Sequence, residues 1–112
     1  MDQKSLVVRV MDTFENTIPL VMKELEESLS AGDTRQAMLH AHSIKGTAAN
    51  LSAMELSQIA AEIEKALRNG DEAHSKTFLA PLKKSLSTCL TAFPEIRKEL
   101  TGGFVVLDGG NE

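Results

Sequence analysis

Two glycine–aspartate pairs divide the sequence into segments typical of helices, and they constrain the fold more than any other feature. Gly32-Asp33 and Gly70-Asp71 each place a residue that ends helices beside a residue that caps the next helix. A third boundary is predicted at Ser52-Ala53-Met54-Glu55, whose spacing is that of a capping box led by Ser52. The connections between helices are therefore expected to be very short.

Between these boundaries, apolar residues recur every three or four positions, the period of an α-helix. Pro19 interrupts the first of these stripes. Because proline lacks the amide hydrogen that a helix interior needs, Pro19 either opens a new helix, capped by Asn16 or Thr17, or kinks one continuous helix. We favour two helices. The stripes expected to be buried are Leu6, Val10, Phe14, Leu20, Met22, Leu25 and Leu29; Ala37, Ala41, Ile44, Ala48 and Leu51; Leu56, Ile59, Ile63 and Leu67; and Phe78 or Leu79, Leu82, Leu86, Leu90 and Phe93.

The composition favours helices over strands. Apolar residues make up 42% of the 112 residues, enough for a single core, and there is no Trp or Tyr. Helices joined by such short connections pack antiparallel to their neighbours. We predict an all-α fold, an antiparallel up-down four-helix bundle with an additional short N-terminal helix. One domain is expected over residues 1–100; residues 101–112, an apolar run between glycine pairs, are expected to form a small strand, a docked segment or a disordered tail.

Charge and composition exclude several functions. The net charge of −4 argues against nucleic acid as a partner, because affinity for a phosphate backbone comes from cationic contacts. A single cysteine, Cys89, excludes an internal disulfide and a cysteine-ligated zinc site. Neither a secretory signal nor a membrane span is found in the sequence. We expect a cytoplasmic protein without a membrane partner.

The second helix carries two histidines that point in different directions. At 100° per residue, His42 lies about 140° from the buried stripe and His40 about 60° from it. The two rings therefore cannot chelate one metal ion, and no metal site is expected. His40 is interpreted as a residue at the core boundary, and His74 as a solvated residue.

The surroundings of His42 suggest a chemical role. Gly46 lies one turn later, although glycine within a helix costs about 1 kcal/mol relative to alanine. A partner that must approach His42 closely would explain this glycine. Lys45 is within reach of an anion on the ring. An exposed neutral imidazole can accept a phosphoryl group. Because the sequence has no phosphate-binding glycine loop, the donor must be another protein.

The segment from Ala41 to Leu51, AHSIKGTAANL, resembles the signature of histidine-containing phosphotransfer (HPt) domains. The similarity covers roughly residues 5 to 92. It implies that His42 is the phospho-acceptor, that Lys45 neutralises the phosphoryl group and that Gly46 gives the partner room. Glu64, 22 residues after the histidine, is implied to orient the ring, with Arg68 one turn further on. An exposed Glu64–Arg68 pair without that role is the alternative.

One position departs from the family pattern. The family commonly has glycine after the residue that corresponds to Leu51, and this sequence has Ser52. A serine there fits the capping box proposed above, so the departure concerns only the shape of the turn.

The resemblance implies a phosphorelay intermediate that accepts a phosphoryl group from a receiver-domain aspartate and passes it to another receiver. The partners would be receiver domains of response regulators or hybrid histidine kinases, docking around Met38, Ala49 and the exposed edge of the preceding helix at Met22. We expect a monomeric phosphocarrier rather than an enzyme, with no cofactor of its own and Mg²⁺ in the partner receiver. The alternatives are the phosphodonor domain of a chemotaxis-type kinase and a non-catalytic helical adaptor or inhibitor.

Overall fold

A computed structural model describes residues 3–100, and all of its regular structure is helical. The prediction of an all-α fold is confirmed. The proposed tail, residues 101–112, lies outside the described residues. The helices are α1 (Gln3–Ala31), α2 (Thr34–Asn50), α3 (Met54–Arg68), α4 (Glu72–Lys76) and α5 (Leu79–Leu100).

The four long helices form a closed ring. Helix α1 contacts α2 and α5, and α3 contacts the same two helices. The α1–α5 pair is antiparallel, because Phe14 packs on Phe93 while Glu26, further along α1, binds Lys83, which comes earlier in α5. The core fills the centre of this ring, as a four-helix bundle requires.

The prediction of a separate N-terminal helix is wrong, because α1 continues through Pro19. Proline removes one hydrogen bond from the helix, but Pro19 lies on the exposed face, where water can satisfy the freed carbonyl. The buried residues Phe14 and Ile18 precede the proline, and Met22 and Leu25 follow it on the same face. Their shared burial holds the two halves in one helix.

The buried stripes agree with prediction in α2 and are corrected in α1. Ala37, Ala41, Ile44 and Ala48 are fully buried, as expected. Leu6 and Leu20, both predicted to be in the core, are 53% and 58% exposed. In a continuous helix the core face passes through Ile18 and Met22 instead, and Leu20 lies opposite it.

The glycine–aspartate boundaries form as predicted. Gly32 and Gly70 have positive φ angles of 72° and 78°. Asp33 accepts a hydrogen bond from the Gln36 amide, and Asp71 accepts one from the His74 amide. The segment after Asp71 differs from prediction, since it forms the separate helix α4 before α5 begins.

The predicted capping box at Ser52 is wrong. Ala53 occupies the N-cap position of α3, with no side-chain capping bond. Ser52 instead ends α2, with a left-handed φ of 57°. Its amide donates to the Ala49 carbonyl and the Ala53 amide donates to the Ala48 carbonyl, so the reversal satisfies the last carbonyls of α2. The turn therefore uses the backbone geometry in which glycine is favoured.

Replacing Ser52 by glycine is expected to stabilise the fold. The left-handed conformation costs a residue with a Cβ about 1–2 kcal/mol, and the greater freedom of glycine in the unfolded chain offsets part of that gain. We expect Ser52→Gly to raise the free energy of unfolding by about 0.5–1 kcal/mol in urea denaturation, with an unchanged m-value. Ser52→Ala, which retains the Cβ, is the control and should not stabilise the chain. A loss of stability in Ser52→Gly would contradict this account of the turn.

Candidate functional site

His42 projects from the outer face of α2. The buried alanines and Ile44 occupy the opposite side of this helix, and the His42 side chain is 66% exposed. The predicted separation of the two histidines is confirmed, because His40 is half-buried and its Nδ1 lies 4.0 Å from a carboxylate oxygen of Glu24. His42 is thus the histidine of α2 that a partner can approach.

Glu64 of α3 reaches His42 across the helix interface. Its Oε2 lies 3.1 Å from Nδ1 of His42, and its Oε1 accepts a 2.8 Å hydrogen bond from Nζ of Lys45. Arg68, one turn after Glu64, approaches Oε2 at 3.1 Å. Three of the side chains that the sequence singled out, His42, Lys45 and Arg68, therefore meet at the carboxylate of Glu64. The ion pair between Glu64 and Arg68 forms, as the alternative interpretation expected. However, Glu64 is only 8% exposed and also binds side chains of α2.

The environment of Glu64 favours its ionised form. Burial alone would raise the pKa of this carboxyl group, because it disfavours the charged form. The hydrogen bond and charge of Lys45, together with those of His42, outweigh burial and hold the pKa of Glu64 below its ordinary value of 4.5. The carboxylate is therefore ionised at neutral pH and can only accept hydrogen bonds.

This carboxylate determines which nitrogen of His42 carries the proton. Because an ionised Glu64 only accepts, Nδ1 of the neutral imidazole must donate to Oε2. The lone pair then resides on Nε2, the other ring nitrogen. An exposed imidazole with its lone pair on Nε2 has the chemistry of a nucleophile at that atom.

The residues that follow His42 on the same face of α2 have small side chains. Gly46 and Ala49 are exposed on the same face of α2, one and two turns after His42. A Cβ added at Gly46 would meet no atom within 4 Å, so packing inside the chain does not require glycine there. Met38, on the other side of His42, is half-buried and packs against the core. Met22, also expected at this surface, is instead a buried core residue.

Two residues near the site were missed in the sequence. Leu39, three positions before His42, is 56% exposed beside it. Ser57 is buried in α3, and its Oγ donates to the backbone carbonyl of Lys45 at 2.9 Å. Helical spacing could have identified both, because Leu39 lies one turn from His42 and Ser57 lies two turns from Glu64.

Other kinds of site are not found in the part of the chain that the structure describes. Within residues 3–100, no group of three or more histidine, cysteine, aspartate or glutamate side chains is placed to hold a metal ion. None of the described helices combines the length and apolar character that crossing a bilayer requires. His74 is exposed as predicted, and its ring packs edge-on against Phe78 at 5.0 Å.

The depressed pKa of Glu64 makes stability depend on pH. Since the pKa in the folded state lies below the ordinary value of 4.5, the ionised carboxylate stabilises the fold above that pH. This contribution disappears as the pH falls through the folded-state pKa. We expect Glu64→Gln to lower the free energy of unfolding by about 1–3 kcal/mol at pH 7 and by progressively less as the pH falls below 4.5, measured by urea denaturation. Glu62→Gln, an exposed position on the same helix, is the control; a pH-independent effect of Glu64→Gln would contradict this assignment.

Comparison with known proteins identifies the family to which the chain belongs. Residues 9–101 match the model of the Hpt domain family. The chain is also similar to the phosphorelay intermediate protein rdeA of Dictyostelium discoideum, with 23% identity over 96 residues, which cover 86% of this chain and 38% of that protein. No solved structure matches. Since the family match extends over most of the sequence, the chain belongs to the Hpt domain family.

Proposed function

We propose that this chain is a phosphorelay intermediate that accepts a phosphoryl group on His42 from a receiver-domain aspartate and passes it to another receiver. The observation that carries the proposal is the hydrogen bond between Glu64 and Nδ1 of a ring that is 66% exposed. This arrangement orients the ring and assigns the lone pair to Nε2. Membership in the Hpt family and the similarity to a phosphorelay intermediate support the same chemistry.

The transfer step balances with the groups at hand. The Nε2 lone pair of His42 attacks the phosphorus of the aspartyl phosphate, and the bond between phosphorus and the aspartate oxygen breaks. The receiver regains its carboxylate, and the phosphoryl group is bonded to Nε2. The proton stays on Nδ1, where Glu64 accepts its hydrogen bond. Transfer to the next receiver is the same step reversed.

The two cations bound to Glu64 can neutralise the charge of a phosphoryl group on His42. Lys45 and Arg68 both bind Glu64, which itself contacts the ring, so their positive charges are held beside His42 before any phosphoryl group arrives. Positioning and charge neutralisation are most of what phosphoryl transfer requires. We assign Lys45 to neutralise the transferred group, with Arg68 as a second cation.

The remaining requirements fall to the partner. The sequence has no glycine-rich loop for nucleotide phosphates, and the Mg²⁺ that assists transfer belongs to the receiver domain. The chain is proposed to act as a phosphocarrier without turnover of its own. Gly46 and Ala49 form the part of the docking surface that has no bulky side chains, and Met38 and Leu39 provide its apolar contacts.

Phosphorylation of two histidine variants tests the acceptor. A phosphorylated receiver domain is mixed with wild type, His42→Gln and His40→Gln, and the acid lability of the label on this chain is measured. We expect His42→Gln to abolish the label and His40→Gln to retain it, because His40 is half-buried at the α1 interface. Circular dichroism checks that both variants remain folded.

The outcomes separate the alternatives. An acid-labile label that depends only on His42 supports the relay. Absence of label from a broad panel of receivers, with the fold intact, would favour the non-catalytic adaptor. Labelling by an ATP-dependent kinase domain, but by no receiver, would favour the phosphodonor domain of a chemotaxis-type kinase.

Replacing Gly46 by alanine separates stability from function. The added Cβ meets no atom within 4 Å, and alanine favours the helix by about 1 kcal/mol. We expect Gly46→Ala to be more stable in urea denaturation but about tenfold slower in phosphotransfer, equivalent to about 1.4 kcal/mol of lost contact with the receiver. Ser43→Ala, an exposed change on the same helix beside His42, is the control for helix propensity and should transfer at the wild-type rate. A wild-type rate in Gly46→Ala would show that the glycine is not there for partner access.

A further inference from the structure

The helix that presents His42 differs from the others in its charge. Among the five described helices, α2 is the one that contains neither aspartate nor glutamate. Apart from its histidines, its ionisable side chains are Arg35 and Lys45, both cationic, in a chain whose net charge is −4. The outer face of α2 is therefore positively charged although the protein as a whole is acidic. Such a face favours an acidic partner surface.

Arg35 lies on the same face of α2 as His42. It precedes His42 by seven residues, which places it about 10 Å earlier along the helix axis and within about 20° of His42 around it. Leu39, which is 56% exposed, lies between them, and Gly46 follows one turn after His42. We call Arg35, Leu39, His42 and Gly46 the outer strip. The strip presents a cation, an apolar side chain, the reactive ring and a glycine in one row.

Arg35 can bind a partner without breaking an existing ion pair. The other two cations considered at this site, Lys45 and Arg68, both bind Glu64. Arg35 is exposed and forms no ion pair with any carboxylate of the described residues. A carboxylate of a docked protein therefore replaces water at Arg35, whereas at Lys45 it would have to compete with Glu64.

The position of Arg35 within α2 also requires an explanation. It lies in the first turn of the helix, where the free amide groups make the local potential positive and disfavour a cation. The carboxylates at this end of α2 bind elsewhere. Asp33 accepts a hydrogen bond from the Gln36 amide, and Glu72 accepts one from Thr34 at 2.7 Å. Contact with another protein would explain a cation that the helix itself disfavours.

We propose that Arg35 binds an acidic side chain of the receiver domain while Leu39 packs on an apolar residue beside it. The inference rests on the proposed function, because the receiver is the partner that approaches His42. The contact lies about 10 Å from the reacting ring along the helix, so it orients and selects receivers but takes no part in the transfer step. A receiver with an acidic side chain at about that distance from its phosphorylated aspartate is preferred over one with a basic side chain there.

Charge reversal at Arg35 separates docking from chemistry. The probe is the phosphorylated receiver that labels wild type fastest, and transfer is timed at low and at saturating receiver concentration. We expect Arg35→Glu to lower the second-order rate constant about three- to tenfold at low ionic strength and much less at high ionic strength, because the contact is an exposed charge pair. The rate at saturation should keep its wild-type value, since Arg35 does not touch the reacting atoms.

Lys84→Glu is the matched control. Lys84 is exposed on α5, the helix diagonally opposite α2, and its reversal changes the net charge by the same amount. It should slow transfer far less than Arg35→Glu, and Arg35→Lys, which keeps the charge, should retain most of the second-order rate. Equal effects of the two reversals, or a loss in Arg35→Glu that is as large at saturation, would overturn the proposal.

Charge exchange with the receiver identifies the side chain that Arg35 binds. Each exposed acidic residue around the receiver's phosphorylated aspartate is replaced by lysine in turn. We expect one replacement to slow transfer to wild type and to restore the rate of Arg35→Glu; failure of every replacement to do so would overturn the proposal. The two hypotheses fail separately. No label on wild type from any receiver overturns the proposed function and this contact with it, whereas labelling that Arg35→Glu leaves unchanged overturns only the contact.

Discussion

The carboxylate of Glu64 is the interaction on which the site depends. It is buried at the interface of α2 and α3, where an unpaired charge would be strongly destabilising. Its partners come from both helices, Lys45 and His42 from α2 and Arg68 from α3 itself. The hydrogen bond from Ser57 to the Lys45 carbonyl joins the same two helices nearby. These bonds fix the register between α2 and α3 at the level of His42. They thereby fix the position of the His42 ring.

Small residues on α2 make this contact possible. The buried face of α2 consists of three alanines and Ile44, so its backbone can lie close to its neighbours. The bulk of the core comes from other helices, notably Phe14 and Leu25 of α1. Close approach of α3 lets a glutamate side chain reach past the interface to a ring on the outer face of α2. The small residues on the buried face of α2 therefore help to determine the geometry of the site.

The features that were predicted correctly from the sequence depend on local chemistry. The helix ends at Gly32 and Gly70 and the caps at Asp33 and Asp71 depend on neighbouring residues, and the outward direction of His42 follows from helical period. Pro19 was misassigned because burial on both sides of it outweighs a local hydrogen bond. Ser52 was misassigned because its positive φ is set by the reversal between α2 and α3. The contact of Glu64 with His42 joins two helices, so periodicity could not show it, and only the resemblance to a family pointed there.

The shared carboxylate also bears on how firmly a phosphoryl group would be held. In the proposed relay, a group that carries roughly two negative charges arrives beside Lys45, whose ammonium already binds Glu64. The new ion pair forms at the expense of the old one, so the phosphoryl group gains only the difference between two similar interactions. A lysine without that competing partner would bind the phosphohistidine more tightly. Competition from Glu64 therefore keeps the two states close in free energy, and a carrier that must both accept and release the group needs that balance.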